Sequence, residues 1–452
     1  MPANTSLSTT GFAQKNILAL SIAALLSGLS GTASAAAFQL NYQSTEAIGL
    51  ANAGRATLTD HASVIYTNPA ALSRLDGQQV SANVSGVFPK TNISYPAAST
   101  QPVAAVGNAR VPLGGTAEGD AVDNTVLGSA YWAIPNTGVD GLSAGVGFYQ
   151  PFGFNANYED TYIGRYWGDH SELTILTLQP TVSYRLNDTL SLGAGFTVNH
   201  VDGKLTRRML SPLDALAPLQ GRNPNNGLQS LIGDDIAYGW NVGGLWDITP
   251  SLHLGAVYRS EVDYDVEGSV RFSNVPAGVL PFTTGQYDAV LKLTTPENYE
   301  VSVAYDVSPS TKLHGSWIRT NWSSAKTLPI QIAGTAVGTF NTSETLGYDD
   351  TNLYAVGVSW QQTDRLGLRA GLAVDEAVTN LHPSARVPTG KRYLHTLGAS
   401  YLINPKSSVD LAYIYAHEDK TNVRATNADS GTYTSTFQNR ANIVAAQLNY
   451  KF

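Results

Sequence analysis

Residues that could do chemistry are few and widely spaced in this chain of 452 residues. The stretch Gly141-Leu142-Ser143-Ala144-Gly145 matches the G-x-S-x-G pattern of esterases. That motif needs a sharp turn between a strand and a helix, whereas here it lies inside a segment with strand alternation. The eight histidines show no metal-ligand spacing, and the chain has no cysteine. We therefore predict no enzyme, no metal site and no cofactor.

A row of acidic side chains is the densest group of ionisable residues. Glu261, Asp263, Asp265 and Glu267 alternate along one predicted strand and so share a face. The apolar pattern of residues 252–258 predicts that this face points inward, into a solvated upper lumen. The net charge of −8, with no run of Lys or Arg, gives no electrostatic footprint for nucleic acid.

The elements that position these residues are strands. Only 14% of the residues are charged, against about 25% in ordinary soluble proteins, and no stretch of 18 apolar residues could span a bilayer as a helix. Residues 441–452 alternate strictly, with Val444, Leu448 and Phe452 on one face and Ile443, Ala445 and Gln447 on the other. Such alternation with abundant Gly and Tyr is typical of a transmembrane β-barrel.

Fourteen segments show this alternation, from residues 80–91 to residues 439–452. Short turns between them alternate with loops of about 15 to 30 residues, the asymmetry of outer-membrane barrels with short periplasmic turns and long extracellular loops. We predict an all-β fold: a 14-stranded antiparallel transmembrane β-barrel over residues 80–452, with both termini in the periplasm. The predicted location is the outer membrane of a Gram-negative bacterium.

Two segments precede the barrel. Residues 1–35 are predicted to be a secretory signal peptide, with an apolar stretch over 17–29 and a small-x-small cleavage site at Ala33-Ser34-Ala35. A single anchoring helix is the alternative, but 13 residues rise only about 20 Å. Residues 36–79 have no strand pattern and are predicted to form a plug, or hatch, in the lumen. Within them, Asn68-Pro69-Ala70 predicts a rigid turn.

Over the whole mature chain the sequence resembles the FadL family of outer-membrane transporters, also called OmpP1/FadL/TodX. The resemblance rests on Ala37-Phe38-Gln39-Leu40, on the stretch Gly49 to Gly54, on Asn68-Pro69-Ala70, on the loop Phe152 to Tyr166 and on the terminal Phe452. It implies passive transport of long-chain fatty acids or related hydrophobic molecules, with capture by extracellular loops and an internal apolar pocket. It also implies lateral release through a gap at a kink in the third strand.

The resemblance assigns roles to particular residues. Phe38 is expected to reach the pocket, and Asn68, Pro69 and Ala70 to lie near the kinked third strand. Gly145 and Gly147 in that strand would permit the kink, or they would merely accommodate the hatch. Apolar loop residues are expected to form the capture groove or to pack together as a lid. They include Leu213, Leu216, Leu219, Val279 and Phe282.

The ligand's polar end is the open part of the prediction. Asp202 and Asp349 stand where basic side chains would be sought, which disfavours an anionic ligand unless a cation intervenes. Lys204, Arg207 and Arg259 are the candidate cations. The alternatives are a transporter of neutral aromatic or alkane hydrocarbons, a surface adhesin or receptor, and an open porin. The expected partners are hydrophobic small molecules, outer-membrane lipid and lipopolysaccharide, and the barrel is expected to be monomeric.

Overall fold

The computed structural model describes residues 37–103, 106–117, 122–210, 216–217, 227–275, 282–379, 384–427 and 430–452. The predicted signal peptide, residues 1–35, lies outside the described residues. Among the described residues, no helix is both long enough and apolar enough to cross a membrane.

Strands make up most of the described chain. They are β1 Gln79–Ser99, β2 Pro112–Leu113, β3 Thr125–Ile134, β4 Leu142–Asn157, β5 His170–Arg185, β6 Leu190–Met209, β7 Gly227–Thr249, β8 Leu252–Arg259, β9 Val262–Ser273, β10 Gly285–Thr295, β11 Asn298–Ser308, β12 Thr311–Thr320, β13 Thr327–Thr335, β14 Gly338–Thr345, β15 Thr351–Gln361, β16 Leu366–Asp375, β17 Arg392–Asn404, β18 Ser407–Glu418, β19 Thr421–Asn427 and β20 Gly431–Lys451.

These strands form one closed antiparallel barrel, as predicted. It closes where β1 pairs with β20, from Gln79 opposite Lys451 to Ser99 opposite Thr432. The barrel has fourteen strands, because β8 with β9, β10 with β11, and β18 with β19 are successive parts of single barrel strands. The short β2 and the hairpin β13–β14 belong to the long connections. The third barrel strand is therefore β4.

The alternation read from the sequence is confirmed on the barrel wall. Val444 and Leu448 are exposed on the outer face, whereas Ile443 and Ala445, on either side of Val444, are buried. The long strands continue beyond the apolar band: β7 has 23 residues, or roughly 75 Å along the strand. With a strand tilt of roughly 40°, the height of β7 along the barrel axis is about twice that of the apolar band of outer-membrane barrels, which is ~25 Å. The wall therefore rises well above the membrane.

The acidic row is placed on the opposite face from the predicted one. Val262, Tyr264 and Val266 are buried inside the barrel, and the alternating acidic residues are exposed outside. The two-residue break between β8 and β9 leaves Arg259 and Val262 both inward-facing, which reverses the alternation beyond it. The prediction of an acidic upper lumen was wrong for this row, which consists of Glu261, Asp263, Asp265 and Glu267.

The N-terminal segment, residues 37–78, contains short helical turns: α1 Thr45–Gly49, α2 Val64–Thr67 and the 3₁₀ turns Arg55–Thr57 and Pro69–Arg74. It contacts inward-facing side chains from distant parts of the wall. Arg55 pairs with Glu300 of β11, and Glu46 pairs with Arg369 of β16. Such contacts are those expected of a hatch.

Candidate functional site

An apolar cavity lies in the upper barrel, above most of the N-terminal segment. It contains about 740 Å³ of empty space, including the part open to solvent. Strands and loops on several sides supply its aliphatic and aromatic wall. Examples are Phe154, Val201, Leu231, Leu291, Leu293 and Leu346.

Phe38 lies on the wall of this cavity and is almost fully buried. Its ring meets Trp322 edge-on, with ring centroids 4.8 Å apart, and lies 5.8 Å from the ring of Phe152. Trp322 belongs to the 3₁₀ turn Trp322–Ala325 and is itself buried. Aromatic pairs of this geometry favour each other beyond their buried area. The beginning of the N-terminal segment is thus held against the cavity.

Arg386 is the cation among the described residues that line the cavity. Its Nη1 donates to Ser171 Oγ at 3.0 Å and to the Thr206 carbonyl at 2.8 Å. Its Nε donates to Glu344 Oε1 at 3.3 Å, and the side chain is buried. These contacts hold a guanidinium, which is always charged, at the edge of an apolar space.

A second cavity of about 530 Å³ adjoins the first, and Phe154, Arg386 and Val387 line both. Its wall also contains the buried ion pair between Arg392 and Glu418. Residues of β1, β4, β17, β18 and β20 contribute to it. It lies next to the place where β3 and β4 separate.

The wall opens between β3 and β4. Pairing between them covers only Ala130–Ile134 of β3 against Ala144–Phe148 of β4. Above this, residues 125–129 of β3 pair with β1, while β4 pairs with β5 as far as Asn157. The register of β4 shifts between Tyr149 and Phe152, so a bulge lies at the base of the opening. Pro151 within it cannot donate a backbone hydrogen bond.

The start of the N-terminal segment covers the edge of β4 that β3 leaves. Gln39 pairs with Phe152 as an antiparallel bridge. Leu40 N donates to the Pro151 carbonyl at 2.8 Å, and Gly153 N donates to the Phe38 carbonyl at 2.8 Å. Phe38 therefore lies between the cavity and the opening.

The two predicted glycines of β4 contact the N-terminal segment instead of forming the bulge. A Cβ on Gly145 would lie 2.7 Å from Ile65 Cδ1, and a Cβ on Gly147 would lie 3.1 Å from Ile65 Cγ2. The absence of side chains therefore makes room for Ile65. Of the two readings of these glycines, the geometry favours accommodation of the hatch.

The Asn68-Pro69-Ala70 tripeptide lies against β5, β6 and β7. Asn68 Nδ2 donates to the Ala56 carbonyl at 2.7 Å and to the Gly244 carbonyl at 3.0 Å. Its Oδ1 accepts from Ala70 N at 3.0 Å, which caps the 3₁₀ turn that begins at Pro69. The rigid turn is present, and it anchors the segment to these strands.

None of the three cations proposed from the sequence lines the cavity. Lys204, like Asp202, alternates with buried or cavity-lining residues of β6 and so faces outward. Arg207 Nε donates to Gln229 Oε1 at 2.9 Å. Arg259 Nη2 donates to the carbonyls of Tyr66 and Thr67, at 2.7 and 3.1 Å, and so holds the N-terminal segment.

The predicted capture loops are described only in part. Leu213, Leu219 and Val279 lie outside the described residues. Leu216 is half-buried, and Phe282 stacks on Phe272 with ring centroids 4.2 Å apart. Phe282 packs against the apolar cluster that includes the cavity wall.

The residue that sequence reasoning missed is Arg386. It lies in the connection between β16 and β17, between the apolar residues Ala385 and Val387 and just before Pro388. A lone basic residue in an apolar stretch of a loop is the signal that could have identified it.

A closed fourteen-stranded barrel with an N-terminal segment against its inner wall and an apolar cavity defines the class of plugged outer-membrane barrels. The chain belongs to the OMPP1/FadL/TodX family, described as outer membrane protein transport protein, whose profile matches residues 26–452. It is an outer-membrane protein of this transport family.

Relatives and solved structures agree with this assignment. The chain is 28% identical to outer membrane protein P1 of Haemophilus influenzae, over 93% of this chain and 96% of that protein. It is 26% identical to the long-chain fatty acid transport protein of Escherichia coli (strain K12), over 97% and 98%. The fold matches a Pseudomonas aeruginosa FadL homologue with a TM-score of 0.82 at 20% identity, covering 94% of this chain and 100% of the other. It matches the Pseudomonas putida toluene transporter TodX with a TM-score of 0.67 at 16% identity, covering 89% and 98%.

Proposed function

We propose that the protein carries long-chain fatty acids passively across the outer membrane, with the acyl chain in the apolar cavity and the carboxylate at Arg386. The observation that carries the proposal is a buried guanidinium at the edge of a largely apolar cavity, whose lining also includes Glu172 and Glu344. Each buried methylene contributes about 0.8 kcal/mol, so a chain of about sixteen gains roughly 13 kcal/mol before the costs of ordering. No nucleotide or redox cofactor is needed for such a process.

The carboxylate would compete with Glu344 for Arg386. Two carboxylates at one guanidinium repel each other, and the side chain of Glu344 is 30% exposed. Glu344 is therefore the partner that can turn toward solvent when a ligand carboxylate arrives. A charge-assisted bond to Arg386 would then fix the polar end of the ligand.

Replacing Arg386 by glutamine tests this assignment. Oleate binding should weaken by about 1.5 to 3 kcal/mol, the scale of a hydrogen bond to a charged group, or roughly 10- to 150-fold. Binding of a neutral alkane of similar length should stay unchanged. Arg207→Gln is the matched control, because Arg207 lies outside the cavity lining. Equal oleate affinity in wild type and Arg386→Gln would refute carboxylate recognition by this residue.

A neutral hydrocarbon is the second candidate ligand. The observation in its favour is that Nε and Nη1 of Arg386 already donate to Ser171, Thr206 and Glu344. Among the relatives, those of Escherichia coli and Salmonella typhi are named as long-chain fatty acid transporters, and the solved TodX structure is named as a toluene transporter. Tighter binding of toluene than of oleate, with no effect of Arg386→Gln, would favour this reading.

For release, we propose that residues 36–79 act as a hatch and that the ligand leaves sideways between β3 and β4. The Phe38–Leu40 stretch would move off the edge of β4 and connect the cavity with the opening. Support comes from its position, since Phe38 lines the cavity while its carbonyl accepts from Gly153 N. Bulky residues at Gly145 or Gly147 would not test this exit, because they would first clash with Ile65.

A disulfide between cysteines at Gln39 and Phe152 provides a direct test. The two residues form an antiparallel bridge, whose Cα separation of about 4.5 to 5.5 Å suits a disulfide. The chain contains no cysteine, so no other thiol interferes. Uptake of labelled oleate by cells should be lost in the oxidised variant and should return on reduction.

The control is a disulfide at Leu411 and Ala446, which are registered partners of β18 and β20. This pair joins two strands that do not border the opening, and it should leave uptake unchanged in both redox states. If the oxidised Gln39–Phe152 variant still takes up oleate at the wild-type rate, the proposed exit is wrong.

Three further predictions from the sequence stay proposals. These are cleavage of the signal peptide after residue 35, capture of the ligand by the apolar loops, and a monomeric barrel. Capture would use the loop positions Leu213, Leu216, Leu219, Val279 and Phe282.

A further inference from the structure

Basic side chains form a row across three neighbouring strands on the outer wall. Lys90 of β1 is the registered partner of Arg440 of β20, and Arg440 is in turn the partner of His417 of β18. Lys90 and Arg440 are exposed, and His417 is half-buried. All three face outward, because Thr91, Asn439 and Glu418 beside them face the interior. Registered partners on one face have Cβ atoms about 4.5 to 5.5 Å apart.

The height of this row follows from the strand geometry. Tyr450 and Val80 are registered partners near the periplasmic end of the wall, and Arg440 and Lys90 follow ten residues further along the same two strands. Ten residues span about 34 Å, and a tilt of roughly 35 to 45° reduces this to about 24 to 28 Å across the membrane. The apolar band of such barrels is about 25 Å tall. The row therefore lies at the level of the lipid headgroups of the outer leaflet.

The basic row lacks a negatively charged partner among the described residues. Lys90 and Arg440 are like charges directly opposite each other, an arrangement that destabilises a sheet. Among the described residues, neither has a carboxylate within 4.0 Å. An anion between them would remove the repulsion and satisfy both cations.

The other side of the barrel at a comparable height has the opposite charge. Asp202, Asp234 and Glu267 are registered partners across β6, β7 and β9 and are exposed on the outer face. An anionic lipid is repelled there and attracted by the row on β1, β20 and β18. The charge of the wall thus selects one side for a negatively charged headgroup.

Aromatic side chains flank the row. The His417 ring stacks with Tyr393, with centroids 5.1 Å apart, and with His395, at 5.5 Å. Phe88, two residues below Lys90 on the same face of β1, is exposed. Aromatic rings of this kind mark the interfacial region of a membrane and offer apolar surface to the first carbons of acyl chains.

We propose that Lys90, Arg440 and His417 bind the phosphate of a phosphorylated lipid in the outer leaflet of the outer membrane. The lipid's acyl chains would lie along the apolar outer face of β18, β20 and β1, with its headgroup at the row. Arg440 also contributes to the lining of the second cavity, but none of the three residues lines the ligand cavity, so the site is separate from it. It does not depend on the transport function.

The test compares lipid binding by the folded full-length barrel in detergent, followed by native mass spectrometry. The probes are bisphosphorylated lipid A and the same lipid after enzymatic removal of its phosphates. The double variant Lys90→Gln/Arg440→Gln should bind bisphosphorylated lipid A about 30-fold more weakly, since each basic residue near an anionic leaflet contributes about 1 kcal/mol, or about 5-fold. The dephosphorylated lipid should bind wild type and double variant equally.

Lys292→Gln is the matched control. Lys292 is exposed on β10 on the acidic side, where it pairs with Asp265 at 3.1 Å, and its replacement should leave lipid affinity unchanged. Folding is checked by circular dichroism and by the mobility shift of heated barrels on gels. If the double variant does not fold, the single variants Lys90→Gln and Arg440→Gln are each expected to lose about 5-fold.

Three results would overturn the proposal. The first is equal affinity of wild type and charge-removed variants for bisphosphorylated lipid A. The second is equal affinity of wild type for the phosphorylated and dephosphorylated lipids. The third is displacement of the lipid by inorganic phosphate at equimolar concentration, which would indicate a site for the free anion.

Discussion

Replacing Arg55 by methionine removes the cation of a fully buried ion pair between the N-terminal segment and the barrel wall. Arg55 Nη2 lies 2.9 Å from Glu300 Oε2, and Nε donates to both carboxylate oxygens at 3.0 and 2.9 Å. Nη1 donates to Asn41 Oδ1 at 3.0 Å. The two charged side chains are 1% and 0% exposed, so water cannot replace the lost partner.

The cost follows from what Glu300 keeps. Breaking a buried pair by removing one partner usually costs about 3 to 5 kcal/mol. Glu300 retains Arg259 Nη1 at 3.5 Å and Ser302 Oγ at 3.1 Å, which places the cost near 3 kcal/mol. The population with an undocked N-terminal segment should therefore rise about 150-fold. Adding Glu300→Leu removes the stranded charge, so the double variant should be less destabilised than Arg55→Met alone.

A cysteine at Ala62, which is fully buried in the segment, reports undocking through its rate of reaction with a thiol reagent. When reclosing is fast, this rate follows the open population. Labelling should be about 150-fold faster in Arg55→Met. Lys292→Met, which breaks an exposed ion pair, should leave the rate unchanged. Labelling of Arg55→Met at the wild-type rate, or faster labelling of the double variant than of Arg55→Met, would contradict the expected cost of breaking the ion pair.

Two more perturbations probe the docked segment with the same assay. Gly243→Ala should undock the segment, because the new Cβ would lie 2.0 Å from Asn68 Oδ1. Gly244→Ala is the control, since its Cβ would make only an ordinary contact and should have no effect. Equal labelling rates in these two variants would contradict the packing of Asn68 against Gly243. Burial raises the pKa of Glu46 well above its usual value of 4.5, with Asp60 adding to the rise and Arg369 partly offsetting it. The docked state then holds a proton that the undocked state releases, so docking should weaken as the pH rises from 4.5 through the raised pKa, and labelling should accelerate. Each rate is divided by that of an exposed cysteine at the same pH, because thiolate formation alone speeds labelling as the pH rises. Glu46→Gln should abolish the slope of this ratio; a wild-type ratio independent of pH would refute the assignment.

The barrel could be predicted because its main determinant is local. Alternation along a single strand already separates the lipid face from the inner face, as for Val444 and Ile443. The alternating lengths of turns and loops then give the strand number and the orientation. The N-terminal segment was predicted only by exclusion, because residues 36–79 lack the alternation of a strand.

The face of the acidic row could not be predicted, because it depends on one break in the strand. The stretch between Arg259 and Val262 shifts the alternation by one residue, and that shift turns every later side chain to the other face. Neither Ser260 nor Glu261 is a glycine or proline that would have indicated the break. The partner strand does carry such a signal, since Pro296 lies in the interruption between β10 and β11.

The cation of the cavity was missed for a different reason. Arg386 reaches its place through contacts with Ser171 and Thr206, which are 215 and 180 residues away in the chain. No spacing within the sequence carries that information. Lys204 and Arg207 lie close to Asp202 in the chain, but alternation along β6 turns Lys204 away from the lumen.

The contacts of the N-terminal segment limit how it could release a ligand. Its middle is held by the Arg55–Glu300 pair and by Asn68, whose Oδ1 lies where Gly243 leaves space for it. Its first residues are held by the two backbone hydrogen bonds that form the bridge of Gln39 to Phe152, each contributing about 1 kcal/mol net, and by the packing of Phe38 on Trp322 and Phe152. Displacing the whole segment would break buried charge pairs, whereas displacing only Phe38–Leu40 breaks none of them. A movement that opens the cavity toward the β3–β4 opening should therefore be confined to these first residues, and for that reason a single cross-link at Gln39 should block it.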